Sequence, residues 1–224
     1  MRITAAILLA FIAFGSAARA QNEQAPIVEK EVAYKNWTYK SVRDGSNVDL
    51  RELARGKKLV AVVYFAPWCG NWRHDAPMLE RLYQKYKADG LEIVAVGEYD
   101  PVGSMKSNID TMKLTFPMVY ESESRDAKQK TSHYEYRRST GDTRNWGSPW
   151  YIFLDPSQFP AKGDVLTTKT SVINGEMIEA EGEKFIRRKL GLGPGAVDDK
   201  KVGAFAKTKI EICEPAKPSP LTKP

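Results

Sequence analysis

An apolar run of strand length that ends at a cysteine opening a helical pattern constrains this chain more than any other feature. Val60 to Phe65 is rich in β-branched and aromatic residues and lacks polar alternation, as expected of a strand buried on both faces. Pro67 closes the run. From Asn71 to Lys87 the apolar residues Met78, Leu79, Leu82, Tyr83 and Tyr86 recur at helical spacing, and Gly90 stands as a C-terminal stop. Cys69 therefore sits at or near a helix N-terminus. Unpaired backbone N–H groups and the helix dipole favour an anion there, so a thiol loses its proton more readily than in water.

The turn Phe65-Ala-Pro-Trp-Cys-Gly-Asn-Trp-Arg73 resembles the active-site turn of the thioredoxin superfamily, and most of all its exported TlpA/ResA-type branch. The usual form there is a Trp-Cys-x-x-Cys pair followed by a basic residue. Pro77, eight positions after Cys69, matches the proline that kinks the family's active-site helix. Where the family carries its second, resolving cysteine, this chain has Trp72. The resemblance implies an α/β thioredoxin-like fold, a central mixed sheet flanked by helices on both faces. It also implies that Ser148-Pro149 supplies the cis proline facing the cysteine, with Ser148 offering backbone groups to a bound polypeptide.

The replacement by Trp72 limits the chemistry. A dithiol attacks a disulfide with one thiolate, and its neighbour then releases the mixed disulfide by a second exchange. A lone Cys69 forms the mixed disulfide but needs an outside thiol, a substrate thiol or Cys213, the candidate resolving cysteine, to complete the cycle. Trp72, one turn on along the same face, shields the sulfur and raises its pKa, whereas Arg73 and the helix end lower it. The first expectation is a monothiol thiol–disulfide oxidoreductase acting through Cys69, with Trp68, Trp72, Ser148 and Pro149 at the substrate and Arg73 tuning the thiolate. The rival expectation is a redox-inactive binding or scaffold module that uses a hydrophobic groove near Trp72 and Pro149.

At 224 residues, 42% hydrophobic and 28% charged, the composition is that of one globular domain with tails. Arg2, the apolar stretch Ile3 to Phe14 and Ala18-Arg19-Ala20 form a secretory signal pattern over residues 1–20. The stretch is shorter than the ~20 residues of a membrane span. Cleavage after Ala20 would place the chain in a periplasm or outside the cell, with membrane attachment only through an uncleaved segment. It would also lower the formal net charge from +6 to +4, since Arg2 and Arg19 leave and no acidic residue does. No nucleic-acid motif accompanies this mild excess. The partners expected are protein or small-molecule thiols and disulfides.

Residues 21–35 are polar and expected to be flexible, and a thioredoxin-like domain is expected over 36–192. Trp37 to Val42 and Asn47 to Leu50 suggest a hairpin, with Asp49 capping a short helix to Ala54. This lead-in also resembles the TlpA type. Leu91 to Val96 gives a second buried strand, Met105 to Leu114 a helix, and Thr115 to Tyr120 a short edge-like strand. The stretch 121–148 reads as an insertion: either a lid whose contacts are His133, Tyr134, Tyr136, Arg137, Arg138 and Trp146, or a solvated loop with a helical turn or two. Trp150 to Asp155 is a central strand. Val165 to Ile173, Asn174-Gly175 and Glu176 to Glu179 carry a type I′ hairpin signal. Gly182 to Leu190 closes the fold, and a Lys/Pro-rich tail, 193–224, holds Cys213.

Other chemistries are poorly supported. His74, His133 and the two cysteines lack metal-ligand spacing, so no metal and no cofactor are expected. His74 lies five residues after Cys69, about 140° round a helix, and forms no obvious Cys–His pair. A peroxidase of the peroxiredoxin kind needs a hydroxyl near its thiolate, and Ala66 stands where the usual threonine would be.

Overall fold

The computed structural model describes residues 23–193. The expected signal segment, the greater part of the expected tail and Cys213 lie outside the described residues. In order, the elements are β1 (Gln24–Ala25), β2 (Val28–Lys35), β3 (Thr38–Ser41), β4 (Asn47–Asp49), α1 (Leu50–Leu53), β5 (Leu59–Phe65), α2 (Gly70–Tyr86), β6 (Leu91–Gly97), α3 (Val102–Met112), β7 (Met118–Tyr120), α4 (Ser132–Ser139), β8 (Trp150–Leu154), β9 (Val165–Ile173), β10 (Glu176–Met177) and α5 (Glu179–Leu190). Eight strands form one mixed sheet in the order β2-β9-β8-β5-β6-β7-β3-β4. The β5–β6 and β6–β7 pairs are parallel, and β8 runs antiparallel to β5.

Alternation along β5 divides the apolar residues between two cores. Ala61, Val63 and Phe65 join Leu79, Leu82, Met105, Ile109 and Phe185 from α2, α3 and α5 on one face. Val60, Val62 and Tyr64 join Leu50, Trp37 and Tyr136 on the other. All seven residues of β5 are buried, which explains its continuous hydrophobicity: a central strand covered on both sides has no solvent face to mark with polar residues. The tyrosine and tryptophan polar atoms at the centre of the second core pair with one another, as burial favours. Trp37 Nε1 donates to Tyr34 Oη, which is 2.9 Å from Tyr64 Oη.

Several expectations hold in detail. The hairpin β3–β4 is antiparallel, Asp49 caps α1 by accepting from Glu52 N–H, and β8 is a central strand.

Others need correction. The segment expected to be flexible, 21–35, contains β2, which pairs with β9 along its length. Its exposed positions are charged or small, but Val32 and Tyr34 point inward, and this two-residue period is enough to dock an edge strand. The strand at Met118–Tyr120 is not an edge, because it lies between β6 and β3. The expected type I′ hairpin is absent: neither Asn174 nor Gly175 has positive φ, and β10 pairs in parallel with β1 rather than with β9. The Asn174 side chain is instead committed to Thr140 and Trp150.

The stretch 121–148 is built into the second core. Arg125–Lys130 is a 3-10 helix and α4 follows, capped by Thr131. His133, Tyr136 and Arg137 are buried and so cannot be the surface contacts expected of them. His133 lies between Tyr99 Oη at 2.8 Å and the Gly147 carbonyl at 3.1 Å. Arg137 donates to the carbonyls of Arg144 and Asn145, which shapes the loop that follows.

Beside α4 lies Glu98, fully buried and hydrogen-bonded by Ser122. Burial, followed by the neighbouring charge of Glu121, raises its carboxyl well above 4.5. An unfolded chain ionises freely above that value while the native state holds the proton, so this group costs stability as pH rises. Glu98→Gln is expected to be increasingly stabilising relative to the parent between pH 4 and 8, by about 1–3 kcal/mol at the upper end. Denaturant melts at the two pH values check this, and a pH-independent difference would contradict it.

Candidate active site

Cys69 is the N-cap residue of α2, with extended backbone angles of φ −73° and ψ 125°. The turn is held from two directions. Cys69 N–H donates to the Ala66 carbonyl at 3.0 Å, and Ala66 N–H donates to Ser148 Oγ at 2.9 Å. Cys69 Sγ lies 3.2 Å from the Ser148 carbonyl oxygen. The Ser148–Pro149 peptide is cis. The fold thus brings a helix-terminal sulfur against a proline segment from much later in the chain.

Cys69 is fully buried and is disulfide-bonded. The chain has two cysteines, and Cys213 lies outside the described residues. A disulfide sulfur carries no proton, so the 3.2 Å approach to Ser148 is a packing contact in this form; a reduced thiol at the same place would be a donor.

The aromatic residues around the sulfur are placed differently from one another. Trp72 is fully buried, with its ring 4.3 Å from that of Phe65 and its Nε1 donating to Asn108 Oδ1 on α3 at 2.8 Å. Its indole is therefore core here, not an exposed docking surface, because the third residue of α2 faces the sheet. Trp68 is half-buried and meets Trp146 edge-on at 5.2 Å, with the Arg125 guanidinium 5.1 Å from its ring. The stretch 121–148 thereby touches the cysteine turn. Arg73 is exposed and directs its guanidinium to the carbonyls of Pro67 and Trp68, each at 3.4 Å. Pro149 and Ser148 are buried.

Sequence reasoning missed Arg144 and Glu23. Arg144 donates to the Pro149 carbonyl at 2.7 Å and approaches the Ser148 carbonyl at 3.4 Å. It is held by Asp142 at 2.7 Å and Glu23 at 2.9 Å, and Glu23 also accepts from Asn71 on α2 at 2.6 Å. This guanidinium fixes the proline segment against the helix, with its charge matched by one buried and one partly exposed carboxylate. Arg144→Ala would leave Asp142, which is 3% exposed, without its closest partner. The expected cost is about 2 kcal/mol, below the value for a sealed ion pair because Arg144 is itself partly exposed. Chemical denaturation measures it.

Behind the turn lies Asp75, fully buried on α2. Its Oδ2 accepts from Tyr151 Oη and from Met177 N–H. Burial is the main cause that raises its carboxyl above the usual range. Next to it His74 is raised to about 10 by its close approach to the carboxylates of Asp75 and Glu176. No element of the sequence pattern singled out these residues, since Glu176 arrives from β10.

Fold and site geometry together define a thioredoxin-like class. Residues 28–144 match the AhpC/TSA family, more than half of the chain, and the chain belongs to that family. Among curated proteins it is similar to the thiol-disulfide oxidoreductase ResA of Halalkalibacterium halodurans, 33% identical over 78 residues that cover 35% of this chain and 43% of that protein. It is also similar to the thioredoxin-like protein YneN of Bacillus subtilis, 34% identical over 84 residues, 36% of this chain and 48% of that one. The chain thus spans less than half the length of these relatives. Among solved structures, a thiol:disulfide interchange protein of the thioredoxin family from Chlorobium tepidum superposes with a TM-score of 0.52 at 19% identity, covering 72% of this chain and 98% of the other. At that identity the likeness concerns the fold.

Proposed function

We propose that this chain is an exported thiol–disulfide oxidoreductase in which Cys69 is the reacting group and protein or small-molecule disulfides are the substrates. The observation that carries this reading is the sulfur of the N-cap residue of α2, 3.2 Å from the Ser148 carbonyl beside the cis proline. In the first step the Cys69 thiolate attacks one sulfur of a substrate disulfide. A bond forms between the two sulfurs, the substrate S–S bond breaks, and the second substrate sulfur leaves as a thiolate. A second thiolate then attacks the substrate sulfur of the mixed disulfide: the attacking sulfur is oxidised into a new disulfide with it, the bond to Cys69 breaks, and Cys69 returns as thiolate. With Trp72 in the second position, that thiol comes from outside the active turn.

The signal pattern of residues 1–20 supports export, and among the described residues no helix is long and apolar enough to cross a membrane. That Cys69 stands in a disulfide favours a second reading of the return step, with Cys213 as the resolving thiol of the same chain.

The test is alkylation of Cys69 against pH in reduced Cys213→Ser protein. A half-point below about 8.5, the value for a free thiol, is expected for a helix-terminal nucleophile. A half-point at or above it with slow labelling would sink the enzymatic reading in favour of a binding module. Peptide mapping under oxidant distinguishes the two return routes by whether Cys69 is found joined to Cys213 or to exogenous thiol.

A further inference from the structure

His74 and Asp75 at the start of α2 and Glu176 on β10 bring their ligand atoms within 4.8 Å of one another. His74 Nδ1 is 3.0 Å from Glu176 Oε2 and 3.5 Å from Asp75 Oδ1. Both carboxylates are 0% exposed, and His74 is 40% exposed at the mouth of the cluster. Asp75 Oδ1 and both oxygens of Glu176 have no hydrogen-bond partner. The contacts of His74 with them are ion-pair approaches without the alignment of a hydrogen bond. Two carboxylates sealed from water with three unclaimed oxygens are costly to a fold, and one imidazolium at the edge compensates them incompletely.

The other oxygen of Asp75 shows that the cluster is fixed in place. Oδ2 is held by Tyr151 Oη and by the Met177 amide, so Oδ1 is left facing His74. Supporting hydrogen bonds of this kind orient the ligands of metal centres. The two distances from His74, 3.0 and 3.5 Å, match the edges of a tetrahedral or octahedral shell with bonds of about 2.1 Å, and the three ligand atoms lie within 4.8 Å of one another, so the carboxylates close in slightly on an ion.

From this geometry we propose that His74 Nδ1, Asp75 Oδ1 and Glu176 form a site for one divalent first-row metal ion of the zinc or manganese type. One imidazole and two carboxylates suit such borderline ions, whereas calcium takes six to eight oxygens. The open side at His74 leaves the remaining positions to water. The ion replaces the imidazolium proton, neutralises both buried carboxylates and joins the cysteine-bearing helix to β10. Nothing in the proposal depends on Cys69 being reactive.

The test uses the full chain, metal-stripped and with its disulfide intact, so that no thiolate competes. Zinc(II) titration by calorimetry is expected to show one site per chain, and His74→Ala and Glu176→Gln are each expected to weaken it on the order of tenfold or more. Two readouts need no variant. Of the two histidines, His133 is buried, so diethyl pyrocarbonate modifies His74, and zinc is expected to protect it. Cobalt(II) is expected to give the weak visible bands of nitrogen and oxygen ligands without thiolate charge transfer. Absence of binding at millimolar zinc, unprotected His74, a thiolate band, or affinity unchanged in both folded variants would each overturn the site.

Discussion

Cys69→Ser is expected to reduce turnover of a protein disulfide, measured with an external dithiol as terminal reductant, by on the order of 100-fold or more. The hydroxyl keeps the size and capping position but is a far weaker nucleophile at neutral pH. Fold should be retained, because the contacts that shape the turn are backbone to backbone or involve Ser148 and Ala66. Loss of the disulfide is a separate effect, so Cys213→Ser is the matched control. If Cys69→Ser retained the parent rate, with its far-ultraviolet circular dichroism unchanged, the sulfur would have no catalytic part. The converse experiment, capture of substrates as mixed disulfides, should succeed with parent protein and fail with Cys69→Ser. Partners held equally well by both would indicate non-covalent binding.

The second large effect concerns Trp72. Trp72→Ala removes a fully buried indole, its packing on Phe65 and its bond to Asn108. The expected loss is about 3–5 kcal/mol of unfolding free energy, the range for emptying a large aromatic site. Trp72→Phe keeps a ring against Phe65 and gives up the indole donor, for a cost of about 1 kcal/mol from the unpaired Asn108 acceptor and the smaller volume. Denaturant midpoints for the two variants separate packing from hydrogen bonding. An alanine variant within about 0.5 kcal/mol of the parent would contradict this role, since that is the scatter of surface substitutions. The indole thus explains how the chain tolerates a non-cysteine at the fourth position of its motif: the residue has become a wedge between α2, the sheet and α3.

The parts of the fold legible in the sequence are those whose signal is local. The buried run of β5, the helical period of α2 and the cap at Asp49 each depend on neighbours within a few residues. The family likeness then placed Ser148 and Pro149, which periodicity alone could not. What stayed hidden depends on pairings across the chain. Val32 and Tyr34 dock β2 only because β9 is there to receive it, and a charged alternating segment reads as solvated without that knowledge. Asn174-Gly175 carries a turn signature, but the Asn174 amide is claimed by Thr140 and Trp150, which overrides it. Arg144 looked like one more charge in a polar stretch, yet it anchors the proline segment. Trp72 was expected to line a groove beside the sulfur and Pro149, and it is buried instead, because helical phase relative to an unseen sheet is ambiguous from spacing alone. Glu176 meets His74 and Asp75 by tertiary placement, which no motif spacing encodes.

The pairing of β2 with β9 also bears on how the chain is made. β2 is synthesised well before its sheet neighbour β9, so its hydrogen-bonding edge waits unsatisfied until β9 has been made. Contacts of such long range form slowly and leave strands open to wrong partners. The alternating glutamates and lysines of that strand, Glu29, Lys30, Glu31 and Lys35, act in that interval as a charged guard against self-association, before they become the outer rim of the finished sheet.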